Sequence, residues 1–199
     1  MSAPLHGLVL AGGLSTRMQR DKAALLYEGQ DQLSRAVELL ARHVNPVFVS
    51  VRASQVQDRL RSRWPMIVDT VEGEGPLVGI RSAQAAHPAA AWLVIACDLP
   101  FLSDEVLADL IERRRADAVA TAYRSTHDGL PEPLCAIWEP RSAAGLSEHH
   151  AAGGRCPRKF LIRQNAPLLE PDDRHALDNI NTPQEYESAR AVLLNGNGP

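Results

Sequence analysis

Short apolar segments that are typical of buried β-strands alternate along this chain with segments of helical periodicity. The clearest strand is the run 92–97, Trp-Leu-Val-Ile-Ala-Cys, because it is apolar at every position and therefore suits a parallel strand covered on both faces. Between the strand-like runs 8–10 and 47–51, apolar residues recur at helical spacing from Leu33 to Val44. This alternation predicts an α/β fold, a single Rossmann-like, doubly wound, mostly parallel sheet with helices on both faces.

The rest of the chain continues the same pattern. Further strands are predicted at 66–68, 118–123 and 133–138, and helices at 55–63, 77–87, after Ser103 and after Pro183. The last helix begins at Thr-Pro-Gln-Glu, residues 182–185, which has the pattern of a capping box with proline at the first helical position. Since no repeat or low-complexity linker divides the chain, we expect one domain over 1–194 and a loose tail over 195–199.

Size and charge argue against several classes of protein. The chain has 199 residues, of which 45% are hydrophobic, and its formal net charge is −3. Such a balance is unlike the basic surface of a nucleic-acid binder, and no apolar run approaches the roughly 20 residues that span a bilayer. The beginning of the sequence lacks the features of a secretory signal, and three scattered cysteines do not make a disulfide framework. We therefore expect a cytoplasmic protein that binds neither nucleic acid nor membrane.

The loop after the first strand has the composition of a phosphate-binding segment. Ligands of doubly wound sheets bind at the carboxyl ends of the strands, where this loop is expected to lie. Residues 10–22 read Leu-Ala-Gly-Gly-Leu-Ser-Thr-Arg-Met-Gln-Arg-Asp-Lys. The paired glycines allow backbone N–H groups to approach phosphates closely, and Arg17 and Lys22 supply positive charge. Together these residues predict phosphate binding, whereas Arg20 alone is more typical of a solvated surface charge.

Two common nucleotide-binding motifs are absent from the sequence. Nothing matches the pattern Gly-x-x-x-x-Gly-Lys-Ser/Thr of P-loop proteins. The dinucleotide pattern Gly-x-Gly-x-x-Gly fails in the first loop, where Gly12 is followed by Leu14 and Arg17 at the required positions. A nicotinamide-dependent oxidoreductase is therefore disfavoured, although the predicted fold would permit one.

Aspartates follow two of the predicted strands. Asp98 comes directly after the run 92–97 and should face the crevice beside the first loop. Proteins usually hold Mg²⁺ through one or two carboxylates together with phosphate oxygens, so this position suits a magnesium ligand. A turn or helix-capping aspartate is about as common in general, and the neighbouring phosphate-type loop favours the metal. Asp69, after the run 66–68, has the same two interpretations, with little to separate them.

Five segments carry a family resemblance. They are residues 10–22, Gly-Pro-Leu-Val-Gly-Ile at 75–80, Cys-Asp-Leu-Pro at 97–100, Pro-Leu-Cys-Ala-Ile at 133–137 and Asn-Ile-Asn-Thr-Pro-Gln-Glu at 179–185. In this order, over nearly the whole chain, they resemble the motifs of the molybdenum cofactor guanylyltransferases and their nucleotidyltransferase relatives. The stretch Leu-Ala-Gly-Gly at 10–13 resembles the guanylyl branch, since cytidylyl-transferring relatives resemble Leu-Ala-Ala-Gly there.

The resemblance implies a reaction and a set of site residues. GMP would be transferred from GTP to molybdopterin, with Mg²⁺ as cofactor and pyrophosphate as the leaving group. The positions that match nucleotide contacts of the family are Leu10, Ala11, Gly12, Gly13, Lys22, Ser50, Asp69 and Asp98. In this comparison Asp98 would ligate Mg²⁺, Arg17 and Lys22 would stabilise the leaving pyrophosphate, and a client molybdoenzyme or its chaperone would be a further partner.

Two positions depart from the family pattern. Gln19 stands where the signature has glycine, and because glutamine reaches positive φ less easily, the loop is expected to take a different turn there. Ser50 stands where family members often have an asparagine that contacts the base. A hydroxyl offers one donor where an amide offers two donors and an acceptor, so recognition of the guanine is expected to differ in detail.

The residues that contact the acceptor are the least constrained. Asn179 and Asn181 match the late Asn-x-Asn motif of the family, near phosphates or metal, but turn and cap chemistry before a helix explains them equally well. The loop 124–132 and the segment 153–160 are candidates for binding the anionic pterin, with Arg158 as the proposed contact. The alternative is that the cationic side chains of the segment 153–160 lie on the solvent-exposed face of a helix. This second interpretation is slightly favoured.

Two other functions stay open at this point. One is a related transferase that uses a different nucleotide or acceptor, such as a cytidylyltransferase or a sugar-phosphate nucleotidylyltransferase. The other is a non-catalytic nucleotide-binding protein that delivers cofactor to an apoenzyme. Arg17, Lys22 and Asp98 together favour catalysis, because a delivery protein has no need of a metal ligand.

Overall fold

The computed structural model describes residues 2–13, 18, 20–71 and 73–194. The strands are β1 (Leu5–Leu10), β2 (Leu26–Tyr27), β3 (Gln30–Asp31), β4 (Val47–Val51), β5 (Met66–Val68), β6 (Ala91–Ala96), β7 (Ala120–Arg124), β8 (Pro131–Trp138) and β9 (Leu168–Leu169). The α-helices are α1 (Gln32–Ala41), α2 (Pro76–Ala86), α3 (Asp104–Glu112), α4 (Ser142–Ala151), α5 (Pro157–Arg163) and α6 (Pro183–Leu194).

Seven of these strands form one sheet in the order β5-β4-β1-β6-β8-β7-β9. The neighbours β5, β4, β1 and β6 are parallel, whereas β8 is antiparallel to both β6 and β7. Strand β9 is parallel to β7, so β8 alone runs against the others. The prediction of a mostly parallel sheet is therefore confirmed.

Helices cover both faces of the sheet. Alternate strand residues point to opposite sides, so each face presents apolar side chains on which helices can pack. Val9 and Leu93 pack in one buried cluster with side chains of α1 and α3. Leu8 and Val94, their neighbours in sequence, pack in a second cluster with side chains of α2, α4 and α5. The doubly wound arrangement is thus confirmed. No helix in the described part of the chain is long and apolar enough to cross a membrane.

A third, smaller cluster joins the carboxyl-terminal helix to the hairpin β2–β3. The Tyr186 hydroxyl of α6 donates to the Leu26 carbonyl at 2.9 Å, and its ring packs edge-on against Tyr27. The predicted capping box opens this helix: the Thr182 N–H donates to the Glu185 carboxylate at 3.0 Å, and the Glu185 N–H donates to the Thr182 hydroxyl at 3.3 Å. These contacts hold α6 against the hairpin β2–β3.

The helix expected at 55–63 is wrong. Two short 3₁₀ turns, Ala53–Gln55 and Arg61–Arg63, stand there instead. The Asp58 carboxylate accepts hydrogen bonds from the backbone N–H groups of Leu60 and Arg61, which competes with helical hydrogen bonding. The Arg61 side chain is buried rather than solvated, with 2% of its surface exposed. A regular helix with a polar outer face does not account for that position.

Candidate active site

A cavity of about 710 Å³ lies at the carboxyl edge of the parallel strands. Nine of the residues proposed from sequence line it: Leu10, Ala11, Gly12, Gly13, Lys22, Ser50, Asp69, Asp98 and Asn181. The strand register explains this convergence, since Leu10 at the end of β1 is paired with Ser50 of β4 on one side and with Ala96 of β6 on the other. The residues that follow these strand ends therefore face one crevice.

A lysine, a carboxylate and an amide meet on one wall of the cavity. The Lys22 ammonium donates to Asp98 Oδ2 and to Asn181 Oδ1, each at 2.7 Å. The Lys22 and Asp98 side chains are 14% and 19% exposed, so this ion pair is only partly screened by solvent. The Ile180 N–H donates to the Asp98 carbonyl at 3.0 Å, which keeps Asn181 next to the end of β6. The group offers positive charge, carboxylate oxygen and amide within reach of one ligand.

A second carboxylate lies where β4 and β5 end. The Ser50 hydroxyl donates to Asp69 Oδ1 at 3.2 Å. Burial raises the pKa of Asp69, and this effect outweighs the opposing influence of the Ser50 hydrogen bond and the Arg52 charge. An ionised carboxylate accepts hydrogen bonds and donates none. Asp69 is therefore suited to bind a ligand that presents adjacent N–H groups.

The first turn of α2 forms another side of the cavity. Gly75, at the N-cap, has φ +93°, a conformation that favours glycine, and Pro76 takes the first helical position. One turn further, Gly79 packs so tightly on the strand ends that an added Cβ would clash with Ser50 Oγ and lie 2.8 Å from a methyl carbon of Leu10. The helix N-terminus can approach the cavity because this position has no side chain.

Three of the proposed residues are not among the described residues that line the cavity. Arg17, like Gln19, lies outside the described residues. Asn179 is exposed and is not among the residues that line the cavity. Arg158 is also absent from that lining, and its guanidinium pairs with Asp128 at 2.8 Å and with Glu132 at 3.1 Å. In α5 the side chains of Phe160 and Leu161 are buried, as the alternative interpretation of this segment expects, and the Arg158 side chain is half-buried.

The donor set for a metal ion is small. Among the described residues, no group of three or more histidine, cysteine, aspartate or glutamate side chains could hold a metal ion. Asp98 can supply one carboxylate. This fits a hard cation that takes its remaining ligands from phosphate oxygens and water, as Mg²⁺ does, and not one held in a cage made by the protein alone.

The contacts of one buried residue, Arg61, are not indicated by any pattern in the sequence. Arg61 donates to the Ala11 carbonyl and to the Asp21 carboxylate, which adjoin the two ends of the segment 12–20. Its partners are 50 and 40 positions away, so no local pattern indicates these contacts.

Comparisons with known proteins show several close relatives. Residues 7–168 match the family described as the MobA-like NTP transferase domain. The chain is 39% identical over 183 residues to the "Molybdenum cofactor biosynthesis bifunctional protein" of Synechocystis sp., and the match covers 92% of this chain and 53% of that protein. The chain thus spans about half the length of this relative. It is 31% identical over 193 residues to the "Molybdenum cofactor guanylyltransferase" of Pseudomonas fluorescens, with 95% of each chain covered.

The fold has a solved counterpart. The "Molybdopterin-guanine dinucleotide biosynthesis protein A" of Archaeoglobus fulgidus superposes with a TM-score of 0.79 at 24% identity, over 96% of this chain and 99% of that one. At this level of identity the likeness supports the architecture of the sheet and its helices.

Proposed function

The chain belongs to the family of MobA-like NTP transferase domains, and we propose that it transfers GMP from GTP to molybdopterin with release of pyrophosphate. The observation that carries this proposal is that one cavity holds a glycine pair, the Lys22–Asp98 pair and the Ser50–Asp69 pair. The names of the relatives supply the donor and acceptor, since one of them is a molybdenum cofactor guanylyltransferase. A cytoplasmic location, and delivery to a client molybdoenzyme or its chaperone, belong to the same proposal.

The triphosphate would bind to backbone amides and to the lysine. Gly12 and Gly13 line the cavity directly after β1, where their N–H groups can approach phosphate oxygens. Lys22 brings its ammonium to the same region. An anionic ligand would compete with Asp98 for this ammonium, so the cation would be shared between the protein and the phosphates.

The base would be read by Asp69. Guanine presents two adjacent donors, the N1–H and the N2 amino group, and one carboxylate can accept from both. Cytosine presents an amino donor next to a ring nitrogen that is an acceptor. A carboxylate would repel the lone pair of this nitrogen. The Ser50 hydroxyl donates to Asp69 Oδ1 and so supports the carboxylate from the protein side. This arrangement supports guanine as the base although Ser50 replaces the asparagine common in the family.

The chemistry requires positioning and charge compensation rather than a base. The terminal phosphate of the acceptor would attack the α-phosphorus in line, forming a P–O bond as the bond to the β-phosphate breaks and pyrophosphate departs. Because the attacking phosphate is already an anion, no side chain needs to remove a proton. Lys22 would compensate the charge of the leaving group. The same role for Arg17 is a proposal from the sequence.

Asp98 would hold Mg²⁺ in this reaction. Its carboxylate is partly exposed at the cavity wall beside Lys22. The bound ion would supply neutralisation of phosphate charge. Other protein ligands are not required, because phosphate oxygens and water can complete the coordination of magnesium. Asn181, on the same wall, would position the phosphates or the acceptor.

A nucleotide panel tests the proposal. GTP, CTP, ATP and UTP would each be incubated with the protein, molybdopterin and Mg²⁺, and pyrophosphate and the dinucleotide product would be measured. We expect turnover with GTP that requires both the acceptor and Mg²⁺, as reactions without acceptor and with chelator would show. A preference for CTP would indicate the cytidylyl branch. GTP binding without any turnover would indicate a delivery protein.

A further inference from the structure

A buried guanidinium joins the two ends of the segment 12–20. Nε and Nη2 of Arg61 donate to the Ala11 carbonyl at 3.0 and 2.9 Å. Nη1 and Nη2 donate to the two carboxylate oxygens of Asp21 at 2.7 and 2.9 Å. The second N–H of Nη1 donates to Asp58 at 3.1 Å. All five N–H groups are therefore used, and the side chain has one well-defined position.

The contact with Ala11 determines the direction of the next amide. The carbonyl of Ala11 and the N–H of Gly12 belong to one planar trans peptide, in which they point in opposite directions. Arg61 is 2% exposed and is not among the residues that line the cavity, whereas Gly12 lines it. Holding the carbonyl toward Arg61 therefore directs the Gly12 N–H away from it. In the described part of the chain this N–H has no hydrogen-bond acceptor.

The contact with Asp21 determines the position of the lysine. Asp21 Oδ1 also accepts from the Ala23 N–H at 3.1 Å and so caps the 3₁₀ turn Lys22–Ala24. Lys22 is the first residue of that turn, and its ammonium contacts Asp98. The same guanidinium thus places the backbone from which Lys22 extends.

The charge of Arg61 is stable in this environment. Burial by itself lowers the pKa of Arg61, but hydrogen bonds and charge from Asp21 and Asp58 outweigh it and the pKa is raised. A lysine at this position would carry the same charge on one compact ammonium and could not reproduce the planar fork that spans Ala11 and Asp21.

We propose that Arg61 is a positioning residue for the nucleotide, which sets the Gly12 N–H and the Lys22 ammonium for the phosphates of GTP through its contacts with Ala11 and Asp21. This inference rests on the proposed function, since it assumes that GTP occupies the cavity. It adds a residue that does not touch the ligand and that lies outside every motif of the family resemblance.

Binding measurements on Arg61→Lys test the inference, with guanosine as a probe that lacks phosphates. We expect the affinity for GTP to fall about tenfold, because displaced donors lose their alignment, and the affinity for guanosine to change less than about twofold. Arg63→Lys is the matched control, since Arg63 belongs to the same turn, pairs with Asp31 and is 48% exposed. This control should bind both ligands like the wild type, and circular dichroism would confirm that each variant is folded.

Three outcomes separate the alternatives. A folded Arg61→Lys variant with unchanged GTP affinity, or with equal losses for GTP and guanosine, would overturn the inference. If this variant does not fold, Asp21→Asn serves instead: it keeps the size of the side chain, and an unchanged ratio of GTP to guanosine affinity would overturn the inference as well. Failure of the wild type to bind GTP would contradict the proposed function itself.

Discussion

The two carboxylates of the cavity differ in their surroundings. Asp98 is in contact with a cation, the Lys22 ammonium at 2.7 Å. Asp69 receives a hydrogen bond from the neutral Ser50 hydroxyl, and burial raises its pKa. Asp98 is therefore suited to a site of concentrated charge, and Asp69 to recognition of neutral N–H groups. Substitutions at the two positions should have different effects.

Replacing Asp98 with alanine should remove the proposed metal ligand. We expect turnover to fall by at least about 10²-fold while the protein folds, because charge neutralisation at the phosphates is lost. Pyrophosphate release at saturating GTP measures the effect. Asp117→Ala is the control, since the Asp117 side chain is 70% exposed and outside the cavity. Near-wild-type turnover of Asp98→Ala would exclude a ligand role for this carboxylate.

Replacing Asp69 with asparagine should raise stability and weaken GTP binding. Since the folded pKa of Asp69 is raised, the folded state loses stability as the pH rises through that pKa, and a neutral amide avoids this loss. We expect the unfolding midpoint of Asp69→Asn to exceed that of the wild type at pH 7, with the difference closing as the pH falls toward the ordinary value of 3.8.

The same variant would lose the carboxylate that accepts from the base. Hydrogen bonds to charged groups contribute about 1.5–3 kcal/mol, so GTP affinity should fall by roughly tenfold or more. Thermal unfolding between pH 4 and 8 and GTP titrations measure the two effects. A lower midpoint at pH 7, or unchanged affinity for GTP, would contradict the role given to Asp69.

At the scale of elements, helix α2 depends on Gly79 for its position over the strand ends. A methyl group there would clash with the Ser50 hydroxyl, which donates to Asp69, and would lie 2.8 Å from Leu10 Cδ2. Overpacking of this kind costs about 1–3 kcal/mol. Gly79→Ala should therefore lower the free energy of unfolding by about that amount and narrow the cavity.

Chemical denaturation would measure this loss. Gly13→Ala is the matched control, because no atom of the described residues lies within 4 Å of a Cβ added at Gly13. Its stability should equal that of the wild type. If Gly79→Ala were as stable as Gly13→Ala, the close packing of α2 on β1 and β4 would not be a constraint on the fold.

Most individual elements could be predicted because their sequences are locally consistent. The run 92–97 is apolar throughout and becomes β6 within one residue at each end, and 47–51 becomes β4 without change. The segment 55–63 fails because its polar residues suit the outside of a helix, whereas Arg61 makes contacts with residues far away in the sequence. Hydrophobic periodicity indicates which face of an element is apolar. It does not indicate that a single arginine is buried.

At the scale of the whole molecule, the direction of one strand could have been read from loop length. Only residues 125–130 separate β7 from β8. A parallel connection needs a crossover of a dozen or more residues, so these neighbours had to be antiparallel. The position of β8 between β6 and β7 has no comparable local signal, because it is set by packing across the sheet.

The part of the candidate site that lies at the ends of the parallel strands could be predicted from the sequence. Leu10, Ser50, Asp69 and Asp98 each lie at or just after a parallel strand, and the sheet brings them into one cavity. Asn181 could be named only through the family resemblance, because its contact with Lys22 joins residues 159 positions apart. Contacts across such distances depend on the complete fold.

The central claim is that this cavity binds GTP, and a crystal structure of the complex tests it most directly. We predict that the guanine lies against Ser50 and Asp69 and that the triphosphate lies against Gly12, Gly13 and Lys22. A triphosphate bound outside this cavity, or a base held by Lys22 and Asp98 with its phosphates at Asp69, would contradict the account.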